Sequence, residues 1–397
     1  MAFSYLFLIG YLLQLGIYAE TVLSSCWILG QFMCWVGGYS FFLLYKPSLG
    51  TYDFLRPVLF NFFLLTVWGI NLLYLNRRKK TLLSNLKLVV VKNELLFWGS
   101  LVILMTYVLS GGASTDKSIG PLASLNFSSF YFVQAFLFIH LLLSLVAGYF
   151  WGVNKYNILF LFICLVNFLG DHRGVIIVNI LMYLAGIILN RQTQWRTKSL
   201  VGLTLLLLGV GSYYYLGNKR IDTNSVVPNS ADDQIFFAIQ RVTESSGQLV
   251  VDYAHQYQNF RYFENFERIL TMPLPSFLVP NKQSNDDHRE VLEERYNYVF
   301  HDDITSIPLT YLADCYGRMG TIGVILFTVI IGCFFMLLNQ YLLIAPNSFK
   351  SALLVLTMVY AFRLYPASVL GTFAFFFYEL VKFYILIRLL NAKFIIR

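Results

Sequence analysis

Arg173, Arg241, Arg318 and Arg363 are the residues of this sequence best suited to hold a multiply charged anion. A guanidinium keeps its charge at physiological pH, and its planar fork of donors fits phosphate oxygens two at a time. Each of the four falls near the end of an apolar run or on a segment returning to one. Lys282 closes the proline-rich stretch MPLPSFLVPNK and adds a fifth cation. Asp171 and His172 precede Arg173 in NFLGDHRGVIIVNILMYLAG, placed to support it. Asp314 lies four residues before Arg318, on the same face of a helix. The plainer alternative is that Asp171–Arg173 and Asp314–Arg318 are structural pairs and that Arg363, in YAFRLYPAS, snorkels to an interface. For proton transfer the candidates are His301, Asp302 and Asp303, because an imidazole or carboxylate there could accept the proton of an attacking hydroxyl. The two acids read equally well as an N-cap cluster. His140, in the middle of AFLFIHLLLSL, is expected to bond a neighbouring helix.

The sequence carries no GxSxG, HExxH, P-loop or GxGxxG, so hydrolase, zincin and nucleotide-driven chemistries find no support in it. The five cysteines lack CxxC or metal-ligand spacing. No metal and no cofactor is expected.

These residues must be positioned by helices in a bilayer. The chain is 57% hydrophobic and only 13% charged, about half the charge of an ordinary soluble domain. Apolar runs of about 20 residues recur, as transmembrane helices require. Eleven spans are expected, near 3–19, 26–45, 57–75, 95–110, 127–150, 156–170, 174–190, 199–217, 320–343, 350–366 and 368–390. The fold class is therefore an all-α, polytopic transmembrane bundle. Its expected parts are a bundle over 1–217, a large external loop over 218–319 and a three-span bundle over 320–397.

Orientation follows the basic residues of short loops. Arg77, Arg78, Lys79, Lys80, Lys87 and Lys92 put residues 76–94 in the cytoplasm, and RQTQWRTK and the C-terminus join them. Residues 218–307 then lie outside. They hold fourteen acids and eight basic residues, net −6, against +14 for the rest of a chain whose total is +8. The basic excess is thus a topological device, and nucleic acid is not an expected partner. Within the loop, ADDQIFFAIQRV reads as one helix and VVDYAHQYQNFRYFENFERIL as a second, amphipathic one, with aromatics three or four residues apart. SNDDHREVLEERYNY reads as a short solvated helix. IPLTYLADCYGRMG reads as an amphipathic helix on the outer surface.

Three stretches together resemble the Wzy family of O-antigen and exopolysaccharide polymerases, whose architecture is related to that of the O-antigen ligases. GDHRGVIIVNILMYL is similar to the family's outward Arg-Gly segment opening a span. LPSFLVPNK is similar to its proline-rich stretch ending in Lys, and TSIPLTYLADCYGRMGTIGVILF to its loop-exit helix with a G-x-x-G turn. Two departures are visible. The Asn usual before the first Gly of that turn is replaced, and His301 is followed by Asp302 where the ligases carry a His–Asn pair. The resemblance implies a GT-C-like bundle in a bacterial inner membrane. It implies a glycosyltransferase that joins undecaprenyl-diphosphate-linked repeat units on the outer face, with lipid diphosphate leaving. The lipid-linked oligosaccharide is then both donor and acceptor, and a chain-length regulator and a flippase are the protein partners to expect. An O-antigen ligase is the nearest alternative. A polysaccharide flippase or transporter is a third, although the chain has no internal repeat.

Overall fold

The computed structural model describes residues 10–11, 18–32, 55–77, 94–109, 129–169, 173–190, 196, 200, 203–204, 248–271, 288–297, 309–344, 348–363, 368–374, 376–378 and 381. Their elements, in chain order, are α1 (residues 22–32, entered through a 3-10 turn, Ala19–Thr21), α2 (Leu55–Arg77), α3 (Glu94–Leu109), α4 (Ser129–Tyr149), α5 (Lys155–Leu169) and α6 (Arg173–Leu189). Then come α7 (Gln248–Tyr257), α8 (Glu267–Thr271), α9 (His288–Tyr296), α10 (Tyr311–Leu343), α11 (Ser348–Arg363) and α12 (Val369–Tyr378). The described residues contain no strand. Val58–Arg77 and Tyr311–Leu343 are each long and apolar enough to cross a membrane, and α3, α5 and most of α4 and α6 are shorter apolar helices.

The chain forms two compact units, each assembled from separate stretches. One holds residues 1–86, 230–344 and 360–384. Its spine is α10, which packs on α2 and α7. Trp27 of α1 is fully buried and sits 5.1 Å from the rings of Phe63 and Tyr311 and 5.6 Å from Phe335. Phe335 meets Phe376 edge-on at 5.0 Å. One indole therefore lies against α1's neighbours α2 and both halves of α10, and through Phe335 the cluster reaches α12. Polar groups in this core find partners across the helices: Asn71 donates to the Tyr11 hydroxyl at 3.2 Å, Asn339 to the Ala19 carbonyl, and Gln340 to the Tyr74 hydroxyl. A polar group buried among apolar helices is stable only with such a partner.

The other unit holds residues 87–229, 345–359 and 385–397. Its centre is the crossing of α4 and α6. A Cβ at Gly148 would fall on the Tyr183 carbonyl, and one at Gly186 on the Leu145 carbonyl. Only glycine lets the two backbones approach so closely, the small-residue packing that apolar helices use when burial alone cannot hold them together. Beside the crossing, Ser144 Oγ donates to Asn179 Oδ1 at 2.8 Å, and Phe160 stacks on Tyr183 at 4.3 Å. His140 is buried with Nε2 3.4 Å from the Ser100 carbonyl of α3, the interhelical bond its mid-span position suggests. Asn154 starts α5 by accepting from the amides of Tyr156 and Asn157 at 3.0 and 3.1 Å.

Two features of the loop differ from the sequence reading. The aromatic period over residues 250–270 does not make one helix. α7 stops at Tyr257, and a strap of turns runs over 258–266 to the short α8. Gln258, Tyr262 and Asn265 take positive φ values of 50°, 49° and 64°. These conformations break a helix, and an Asn accepts them at lower cost than most residues. Residues 311–318 are helical, as the sequence reads, but every one is enclosed by protein, so the polar side of the helix does not face solvent. Their polar side is turned inward, for the reason that follows.

Candidate functional site

α10 is broken near its start. Met319 (φ −146°, ψ 22°) and Gly320 (φ 61°, ψ −145°) leave helical geometry. The second conformation is open to glycine and strained for any other residue. A break of this kind takes carbonyls out of the i→i−4 ladder, and in an apolar setting they need new donors. The strap supplies them: the Arg261 amide donates to the Gly317 carbonyl at 3.1 Å and the Tyr262 amide to the Arg318 carbonyl at 2.9 Å. Tyr311 Oη donates to the Phe327 carbonyl at 2.7 Å, tying the two halves of α10 across the break.

Asp314 is the hub of this region. Its Oδ1 accepts from Arg261 Nη2 and lies 3.1 Å from Arg318 Nε. Its Oδ2 accepts the Val369 amide at 2.8 Å, at the first turn of α12. All three charged side chains are buried. Arg318 also donates from Nη1 to the Tyr262 and Glu264 carbonyls at 3.1 and 2.9 Å, and its guanidinium lies 5.0 Å over the Phe266 ring. One carboxylate thus joins the loop strap, the lower turns of α10 and the start of α12. From the other side, Arg295 of α9 grips the strap through Asn259 Oδ1 (3.1 Å), Glu264 Oε2 (2.6 Å) and the Phe260 carbonyl (2.8 Å).

Of the residues singled out from sequence, the structure brings Asp314 and Arg318 together. Arg318 is enclosed by protein on every side. It lies against Asp314 and donates to two strap carbonyls, an arrangement that agrees with the structural-pair alternative. Arg173 is the first residue of α6 and Arg363 the last of α11, and they belong to different units. Asp171, His172, Arg241, Lys282, His301, Asp302 and Asp303 lie outside the described residues.

Sequence reasoning missed Arg261, Arg295 and His255. His255 is exposed on α7, with Nδ1 2.9 Å from the Tyr316 hydroxyl. With Nδ1 so engaged, Nε2 is the ring nitrogen left for another partner, the arrangement a positioned general base needs. The stacked rings of Tyr253 and Tyr257, 5.6 Å apart, lie two residues to either side of it in sequence and on the opposite face of the helix. No local spacing announces these contacts, because His255 and Tyr316 are 61 residues apart and Arg261 and Asp314 53. Among the described residues, no three His, Cys, Asp or Glu side chains converge as metal ligands.

Compared with family models, with curated proteins and with solved structures, the chain matches none.

Proposed function

We propose that this protein is a multi-pass membrane glycosyltransferase of the bacterial inner membrane. It polymerises oligosaccharide repeat units carried on undecaprenyl diphosphate, at the outer face of an eleven-span bundle. The observation that supports the reading is the form taken by two of the segments that resemble those of the Wzy polymerases. Arg173 and Gly174 open an apolar helix, and the loop-exit segment breaks into the next helix at the second Gly of its G-x-x-G.

In the reaction, an acceptor hydroxyl attacks the anomeric carbon of the donor's first sugar. The new C–O bond forms as the bond from that carbon to the diphosphate oxygen breaks. The diphosphate departs with the electron pair, and the hydroxyl proton passes to a base. Arg173, Arg241, Arg363 and Lys282 stabilise the charge that develops on the leaving group, which is where fixed cations lower a barrier most. Asp171 and His172 support Arg173. Arg318 and Asp314 serve at one remove, by fixing the loop on α10. His301, Asp302 and Asp303 are the bases suggested by sequence, and His255 is the one suggested by geometry.

The test is purified protein in vesicles with a synthetic lipid-diphosphate repeat unit, no nucleotide and no second protein. A ladder of products supports the reading. Arg173→Lys should lower the rate roughly 100-fold or more, because an ammonium cannot reproduce bidentate binding in the transition state. In cells, deletion should leave single repeats attached to lipid A core. Wholly uncapped core would instead make the protein a ligase, and full-length polymer made by Arg173→Ala cells would refute the assignment.

A further inference from the structure

The strap between α7 and α8 descends beside the apolar half of α10. At its start, Phe260 lies at the break, within 3.4 Å of where a Gly320 Cβ would stand. At its end, Phe266 stacks on Phe327 at 5.9 Å, and Phe263 approaches the same ring at 6.4 Å. Phe327 is seven residues past Gly320, about 10 Å farther along the helix at 1.5 Å per residue. The strap therefore runs about two turns down the helix that is apolar enough to span a bilayer. At that level α10 itself exposes Ile322 (70%) and Ile325. The strap exposes Phe263 (57%), Tyr262 and, through α8, Leu270 (76%). Of its charged groups, Arg261 and Arg268 are buried and Glu264 pairs with Arg295, while Glu267, the first residue of α8, is exposed.

Irregular backbone is stable at membrane depth only when its polar groups are satisfied by protein. Several of the strap's backbone groups find such partners. Strap amides go to the Gly317 and Arg318 carbonyls, and the Tyr262 and Glu264 carbonyls take the Arg318 guanidinium. A segment that sets Tyr262, Phe263 and Leu270 outward beside exposed Glu264 and Glu267, level with a helix apolar enough to span a bilayer, matches the interfacial zone, where apolar rings and wet polar groups meet.

We propose that residues 258–271 are an interfacial wedge, with Tyr262, Phe263 and Leu270 seated among the phospholipids of the leaflet on the loop side. The inference rests on the membrane placement of α10 and is independent of the polymerase chemistry. It assigns lipid as the occupant of this apolar surface.

The test places the photoreactive residue benzoylphenylalanine singly at positions 263, 270, 337 and 294. The full chain is reconstituted in vesicles of phosphatidylethanolamine and phosphatidylglycerol. Leu337, 66% exposed on α10, reports the membrane placement, and Glu294, exposed on α9, reports water. Cross-linking to lipid at 263, 270 and 337 and not at 294 is the expected result. Lipid adducts at 337 alone overturn the wedge and leave the membrane placement standing. Absence of adducts at 337 overturns both. Adducts to a second copy of the chain at 263 or 270 also overturn it, since protein would then cover the surface. As a second measurement, an environment-sensitive dye on Cys introduced at Leu270 should emit farther to the blue than the same dye on Cys introduced at Glu294, both in the same vesicles and corrected for labelling of the unsubstituted protein. An unshifted spectrum contradicts the proposal.

Discussion

Asp314 holds two guanidiniums and a helix-terminal amide while itself fully buried. Removing one partner of such a set leaves the others charged and unsolvated, which costs roughly 3–5 kcal/mol. Asp314→Asn keeps the shape and removes the charge. We expect it to lower the thermal midpoint of the detergent-solubilised protein by several degrees and to expose the strap to protease near residue 261. Arg318→Lys should do the same in milder form, because an ammonium cannot reach Asp314 and two carbonyls with one rigid fork. The Asp314–Arg318 pair was legible in the sequence, since a spacing of four residues sets two side chains on one helical face. Its burial was not legible. An acid and a base on one face look like a solvated surface until a third charge arrives from elsewhere in the chain, and nothing about Arg261 announces that it is that charge.

Elements were read well where length decides and poorly where aromatic spacing decides. The runs expected at 57–75, 95–110, 127–150, 156–170 and 174–190 coincide within a few residues with α2 to α6. A long apolar run has little to do except become a helix that satisfies its own backbone. The period from Tyr253 to Leu270 misled because Phe260, Phe263 and Phe266 pack toward α10 from a strap instead of a helix. Their regular spacing is compatible with either. At this scale the sharpest test is the α4–α6 crossing. Gly148→Val pushes a side chain into the Tyr183 carbonyl, an overpacking of roughly 1–3 kcal/mol or more. The variant should lose the single symmetric peak in size-exclusion chromatography, whereas Ser144→Ala, which removes one hydrogen bond to Asn179, should keep it. Of the candidate site, the sequence marked Arg173 as a helix opener, while the His255–Tyr316 pair needed the fold to bring it together.

For the whole molecule, the unequal charge of its parts makes a topological prediction. A phosphatase reporter fused after residue 225 should be active, and a green fluorescent reporter fused after residue 85 should glow. The reverse pattern would invert the protein and remove the outer-face chemistry with it. The interleaving of the two units bears on biogenesis. Asn339 bonds the Ala19 carbonyl across 320 residues, and Gln340 bonds Tyr74 across 266. When a ribosome has released residue 86, the partners of α1 and α2 on α10 have yet to be made. Synthesis at 5–20 residues per second implies a wait of about 10–45 s before residue 311 emerges. Through that interval, Glu20 and Asn71, destined for burial, must be sheltered by the insertion machinery or by lipid. The segment made last, from residue 311 onward, therefore completes what the first 86 residues begin. A translational stall just short of residue 311 should leave the early helices open to quality-control proteolysis, even with every residue of α3 to α6 already in place.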